Sequence, residues 1–218
     1  MTEQNKGLLI VVEGTDGSGK TTQINLLKRW LEDNCYATKI SKVKTSKIIS
    51  NLIDEAKSNN ALTPTTFSLL YALDFADRLE TTILPALQSG FIVLMDKYIY
   101  TQIVRDAVRR HDLNWIKKVY DFAPTPDLVI YLNVPIDVLT SRINSESDFD
   151  YYESGQDMEL DENIEQSFIK YQNMSLEAFA ELQKEHHFVT INGNDTIENI
   201  HSQIKVEVEK LLSSGELE

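Results

Sequence analysis

Apolar residues fall along this chain with two periods. Continuous short runs at 8–12, 91–95 and 128–132 have the pattern of strands buried on both faces of a parallel sheet. A shorter stretch at 36–41 reads as a further strand, and Thr190 and Ile191 close a weaker one. Between them the spacing turns helical. Ile24, Leu27 and Leu31 share one face of a helix over 21–33, and Ile48, Ile49, Leu52 and Ile53 mark another over 46–57. Pro64, with Thr63 as N-cap, opens a long helix towards Gln88, which Gly90 ends. Pro126 has no place inside a central strand, so it bounds the run that follows it. A terminal amphipathic helix covers 197–212. Strands alternating with helices predict an α/β fold around a parallel sheet. The segment 144–159 stands apart, being polar, aromatic and acidic without a period. Its pattern fits a mobile lid or a plain surface loop equally well.

Composition narrows the class. With 218 residues, 42% hydrophobic and 25% charged, the chain is one domain of ordinary size, or one with a small appended lid. No run approaches the ~20 apolar residues that span a bilayer, and residues 1–6 are too polar for a signal peptide. A lone Cys35 excludes an internal disulfide framework and a Cys-rich metal site, so the expected compartment is the cytoplasm. The net charge of −13 leaves no basic surplus for a nucleic-acid polymer. A small phosphorylated ligand needs only a few local cations, and the global charge does not oppose it.

The chemistry begins where the first apolar run stops. Gly14-Thr15-Asp16-Gly17-Ser18-Gly19-Lys20-Thr21-Thr22 is G-x-x-x-x-G-K-[ST] between a strand and a helix. The glycines let successive N–H groups turn inward as an anion nest, and the helix adds its positive end. Lys20 is placed for the β- and γ-phosphates and Thr21 for Mg²⁺, so this chain is expected to bind a nucleoside triphosphate. Asp96-Lys97-Tyr98 follows the 91–95 run, where ligands bind in such sheets. Beside the loop, Asp96 is a candidate to orient Mg²⁺ or its waters, and Lys97 to hold a phosphate. In the long helix Arg78 offers a bidentate fork to a substrate phosphate or an ion pair on a helix surface. Phe75 beside it reads as core. Arg105, Asp106, Arg109 and Arg110 line an acceptor cleft or form a charged face, the last two fitting the face better.

In this order the pieces resemble the thymidylate kinase family of P-loop nucleoside monophosphate kinases. The resemblance runs from about Gly7 to the end of the chain and rests on 13–23, Asp77-Arg78, Asp96-Lys97-Tyr98 and 125–132. It implies a five-stranded parallel sheet flanked by helices, a lid near 144–159, a homodimer formed through long helices, and transfer of phosphate from Mg·ATP to dTMP. By the same resemblance Lys20 and Thr21 are the phosphate and Mg²⁺ residues. Asp16 approaches the 3′-hydroxyl of the acceptor sugar, Arg78 contacts the acceptor, and Asp96 lies near the reacting phosphates. Lys97 stands where the family has arginine, which keeps the charge and loses the fork.

The departures gather in the acceptor site. The phenylalanine that stacks on thymine is replaced by Asp74, unless a one-residue shift lets Phe75 serve. The arginine segment after the second strand is missing from 41–47, and Arg105 and Asp106 replace an aromatic and a Gln or Thr. The lid motif reads Asp150-Tyr151-Tyr152-Glu153, without arginine. Acceptor binding is therefore expected from Asp16, Asp74, Phe75, Arg78, Lys97, Tyr98, Arg105 and Asp106, with Lys20, Asp96 and Arg78 catalytic. Three functions stay open: a dTMP kinase, a kinase of the same build with another acceptor, and an ATP-binding regulatory partner.

Overall fold

The computed structural model describes residues 7–60, 62–142 and 149–215. Among these, five strands form one parallel sheet: β1 (Leu9–Glu13), β2 (Thr38–Lys42), β3 (Ile92–Asp96), β4 (Leu128–Asn133) and β5 (Phe188–Asn192), in the order β2-β3-β1-β4-β5. Side chains on a strand alternate between faces, and each face has its own cover of helices. Ile10, Val12, Leu94, Ile130 and Leu132 meet Ile24, Leu27 and Leu31 of α1 (Lys20–Asp33) and Ile200, Ile204 and Val208 of α9 (Ile197–Gly215). Leu9, Val11, Val93, Met95, Val129 and Tyr131 face the other way, onto α3 (Pro64–Arg78), α4 (Leu84–Gln88), α5 (Ile99–Val108) and α8 (Ile164–Glu185). Each such fully buried aliphatic side chain contributes ~1.5–3 kcal/mol of transfer free energy. A smaller cluster of Ile49, Ile53, Leu62, Phe67, Tyr71 and Tyr152 joins α2 (Ser50–Ser58) and α3 to the 149–155 segment.

Several boundaries differ from the sequence pattern, each for a physical reason. The runs at 8–12 and 91–95 become strands ending on Glu13 and Asp96, because a charge ends an apolar run without ending a backbone ladder. The helix expected from Ser46 starts at Ser50. Ser46 instead turns the chain, its hydroxyl accepting from the N–H groups of Ile48 (3.3 Å) and Ile49 (3.2 Å). Ile49 and Ile53 are buried there, while Ile48 is 70% exposed. The long helix from Pro64 to Gln88 is interrupted by a π turn at Leu79–Ile83. Pro85 has no N–H for the Thr81 carbonyl and its ring crowds that position, so the helix widens just ahead of it. The 22-residue α8, the short α6 (Leu113–Val119) and α7 (Ile136–Ser141) have no counterpart in the sequence reading.

The 144–159 segment divides. Residues 144–148 lie outside the described residues, whereas 149–158 dock on α5 through Arg109. Its five N–H donors reach Asp157 (2.8 and 3.0 Å), the Tyr152 carbonyl (2.7 Å), the Tyr171 hydroxyl (3.1 Å) and the Arg105 carbonyl (3.2 Å). Arg109 is thus interior rather than part of a charged face, and Arg110 is exposed. Arg109→Met keeps the volume and strips every one of these bonds, leaving Asp157 buried without its partner. The expected cost is about 3–5 kcal/mol in urea unfolding. A loss under about 1 kcal/mol, the range of an exposed ion pair, would contradict the anchor.

Candidate active site

The site forms at the carboxyl ends of β1, β3 and β2, which the parallel register brings level: Val12 opposite Asp96, and Asp96 opposite Lys42. After β1 the chain turns on Gly14 at φ +144°, where a Cβ would come within 2.8 Å of the Leu132 carbonyl oxygen and the Ser18 hydroxyl. Gly19, left-handed at φ +94°, leads directly into α1 and supplies no side-chain cap, and the first turn carries no acid. The leading N–H groups of α1 are left for an outside anion.

Lys20 lies folded on this loop, its ammonium donating to the Thr15 carbonyl (2.6 Å) and the Ser18 hydroxyl (3.3 Å). Burial, followed by the charge of Lys97, pushes its pKa down to about 8, against the pull of Asp16, Asp96 and Glu13. The Thr21 hydroxyl donates to Asp96 Oδ2 at 2.6 Å. Together with Gly17, Thr22, Asp16, Lys97, Lys42 and Val43 these residues line an open cavity of about 460 Å³. A second opening, about 330 Å³, lies on the other side of the loop. There Arg142 donates to the Gly17 carbonyl (2.8 Å) and the Gly193 carbonyl (3.2 Å).

Lys97 takes a left-handed backbone, φ +68°, between β3 and α5. This turns its ammonium back onto Asp16 (2.5 Å), with Glu153 at 3.5 Å. Burial alone would raise the Asp16 pKa, but Lys97 first, then Lys20 and Arg105, hold it well below the usual carboxylate range. Arg105 is paired with Glu153 through one Nη, lies 5.3 Å from the Tyr71 ring centroid, and leaves its buried Nη1 without a hydrogen bond. Asp16, Lys97 and Arg105 therefore converge on one small recess beside the loop.

The other expected acceptor residues do not line the 460 Å³ cavity. Asp74 is fully buried and accepts from the N–H groups of Lys44 (3.0 Å) and Ser46 (3.0 Å) and from Arg78 Nε (2.8 Å). Arg78 spends a second donor on the Ser41 hydroxyl (3.0 Å). Phe75 packs on Tyr98, Tyr120 and Phe122 in the core. Tyr98 donates its hydroxyl to the Pro124 carbonyl at 2.7 Å. Asp106 accepts from Ser68 (3.0 Å) and faces His111 Nδ1 at 2.7 Å, and burial pushes its pKa up against both bonds.

Sequence reasoning assigned no role to Lys42, Glu153, Arg142 or Glu13. Glu13 is fully buried and binds the N–H groups of Tyr98 (2.8 Å) and Thr101 (3.1 Å) and the Thr101 hydroxyl. It thereby ties the end of β1 to the start of α5. Burial pushes its pKa up, opposed by those bonds. The signal for Lys42 was its position at a strand end level with Asp96; for the others only contacts distant in sequence identify them.

A glycine-rich loop at a helix N-terminus, a loop lysine, and a Thr–Asp pair at the tips of a parallel sheet define a P-loop phosphotransferase fold. The thymidylate kinase family description matches residues 12–204. The chain is 40% identical over 204 residues to a probable thymidylate kinase 2 of Saccharolobus solfataricus, covering 92% of this chain and 94% of that protein. It is 33% identical over 205 residues to a probable thymidylate kinase of Pyrococcus horikoshii (91% and 94% covered), and 31% identical over 208 residues to the thymidylate kinase of Schizosaccharomyces pombe (94% and 92%). The chain belongs to the thymidylate kinase family.

The lowered pKa of Lys20 has a measurable consequence. A bound polyphosphate requires the ammonium form, while the free protein loses that proton as pH rises through about 8. Triphosphate affinity is therefore expected to hold below that pH and to fall above it by about tenfold per pH unit, with proton uptake on binding. Calorimetry at pH 9 in buffers of different ionisation enthalpy reads the uptake directly. Binding heat independent of the buffer would rule this out.

Proposed function

We propose that this chain transfers the γ-phosphate of ATP to dTMP, giving ADP and dTDP. The observation that carries the reading is one cavity that holds both halves of the reaction. Asp16, Gly17, Gly19, Lys20, Thr21 and Thr22 of the loop line it together with Asp96 and Lys97 at the end of β3, in a chain of the thymidylate kinase family. An acceptor phosphate oxygen attacks the γ-phosphorus in line, the bond to the β–γ bridging oxygen breaks, and ADP departs with the electron pair. No protein nucleophile is needed. The loop N–H groups and Lys20 hold the donor phosphates and offset their charge. The donor's nucleoside runs to the Arg142 side, leaving the Lys97 side for the acceptor. Ionised Asp16 is suited to accept a hydrogen bond from a hydroxyl of the acceptor sugar.

The residues present fit Mg²⁺. Thr21 and Asp96 place a hydroxyl and a carboxylate oxygen together at the cavity, and no group of three or more His, Cys, Asp or Glu side chains able to hold a metal occurs among the described residues. Two protein oxygens suit an ion that keeps its waters and takes the remaining ligands from substrate phosphates. When bound there, Mg²⁺ supplies charge neutralisation at the β- and γ-oxygens. Arg78 enters as a positioning residue, through Asp74 and Ser41. We further propose one kinase domain with a lid around 144–159, acting in the cytoplasm as a homodimer. Leu69 and Leu73, half exposed on α3, support a face that pairs with a second copy, and no helix of the described residues is long and apolar enough to cross a membrane.

The test is ADP release from Mg·ATP against dTMP, dUMP, UMP, CMP, dCMP, AMP, GMP and thymidine. Turnover is expected with dTMP, and Lys20→Ala is expected to lower it by ~10²-fold or more. Turnover confined to another acceptor would overturn the dTMP assignment. Near-normal turnover by the variant would end the assignment of the donor site.

A further inference from the structure

Two buried polar atoms beside the site have no hydrogen-bond partner among the described residues: the Thr15 hydroxyl oxygen and Arg105 Nη1. Thr15 and Arg105 are only 4% and 5% exposed, and both line one recess of about 20 Å³ between the Gly14–Thr22 loop, α5 and α8. Each residue is anchored at its other end. The Thr15 carbonyl accepts from Lys20 Nζ (2.6 Å) and from the Ser18 N–H (3.2 Å). Arg105 is held through its second Nη by Glu153 and lies 5.3 Å from the Tyr71 ring centroid. The other donors around the recess are committed elsewhere. The Thr101 hydroxyl donates to Glu13, the Ser175 hydroxyl to the Tyr171 carbonyl, Gln172 Nε2 to the Glu153 carbonyl, and the Lys97 ammonium to Asp16. Two unpaired buried groups are costly, and a polar recess of this size has room for one water molecule between them.

We infer that the recess is the site of one resident water, accepting from Arg105 Nη1 and hydrogen-bonded to the Thr15 hydroxyl. Through it Arg105 is a positioning residue for the nucleotide loop. The chain of contacts runs from Glu153 to Arg105, through the water to Thr15, and from the Thr15 carbonyl to Lys20. When Lys20 turns to a phosphate it releases that carbonyl, and the tether on the Thr15 side chain keeps this turn of the loop in shape. The positioning role rests on reading the loop as the ATP site; the water does not.

A high-resolution crystal structure of the free wild-type protein is expected to show one ordered oxygen within hydrogen-bond distance of both Thr15 Oγ1 and Arg105 Nη1. Empty density there, or a direct bond between the two side chains, overturns the inference. Calorimetry of ATP with the wild type, Thr15→Val, Thr15→Ser, Arg105→Met and the Thr15→Val/Arg105→Met double variant tests the positioning role. Loss of one water-mediated bond predicts that Thr15→Val weakens ATP about fivefold. Thr15→Ser restores the affinity, and Thr15→Val adds almost no loss once Arg105 is Met, because the bridge is already broken. The same penalty in both backgrounds means that the two residues act independently, and overturns the role. If Arg105→Met does not fold, wild-type ATP affinity in Thr15→Val overturns it as well. A wild type that binds no ATP removes the donor-site reading and the positioning role together, while the density still decides the water.

Discussion

Keeping an ammonium inside a loop made to hold phosphate is the constraint on which this structure turns. Lys20 is buried among N–H groups that already carry partial positive charge, and in the free protein only a carbonyl and a hydroxyl offset it. The carboxylates nearby cannot neutralise it by contact without filling the phosphate site. They are held instead at one remove: Asp96 on the Thr21 hydroxyl, Asp16 on Lys97, and Glu13 on the start of α5. Each lowers the cost of the buried charge through space while leaving the loop open. The depressed pKa of Lys20 shows that the compensation is incomplete, and an arriving polyphosphate completes it.

The same logic orders the second wall. A fully buried Asp74 would be costly if unpaired, but it takes two backbone N–H groups and a guanidinium, so its charge is spent on geometry. It defines where β2 ends and where Lys42 stands. Across the cleft Glu153 bridges Lys97 and Arg105, and Arg109 fastens the segment that bears it. Helices α3 and α5 thus reach the site mainly through intermediaries, a loop on one side and the 149–158 segment on the other.

This division explains what was legible in the sequence. The Gly14–Thr22 loop and the helix it opens were legible, because both depend on backbone geometry and adjacent residues, which are local. The sheet was legible from its apolar runs, with the ends of β1 and β3 misjudged by a residue where a buried carboxylate continued the ladder. Helix α8 escaped because its apolar positions are interleaved with Gln, Ser and Lys that find partners inside, such as Ser167 and Gln172. The acceptor side was least legible. Asp74, Arg78, Arg105 and Asp106 have the composition of a ligand cleft, yet which of them meets solvent is decided by partners about 30 to 50 positions away. Lys42, whose ammonium has no hydrogen bond or ion pair among the described residues, sits in a segment whose pattern carries no chemical signature at all.

An acidic protein that binds two anions must separate global charge from local charge. The net charge of −13 is spread over exposed surface, where it is screened within about a Debye length of ~10 Å at 0.1 M salt. Inside the cleft the field belongs to the helix end, Lys20, Lys42 and Lys97, residues that line the same cavity as Asp16 and Asp96. Carboxylates nearly match these cations in number, so the free site is close to neutral and need not repel its own charges. Binding then works as exchange. In the proposed reaction a phosphate takes the place of the Thr15 carbonyl and Ser18 hydroxyl that hold Lys20, gaining contacts from groups already in position rather than from a wholesale rearrangement. That is why the acidic side chains of this site, which look unfavourable beside a phosphate, are compatible with its chemistry.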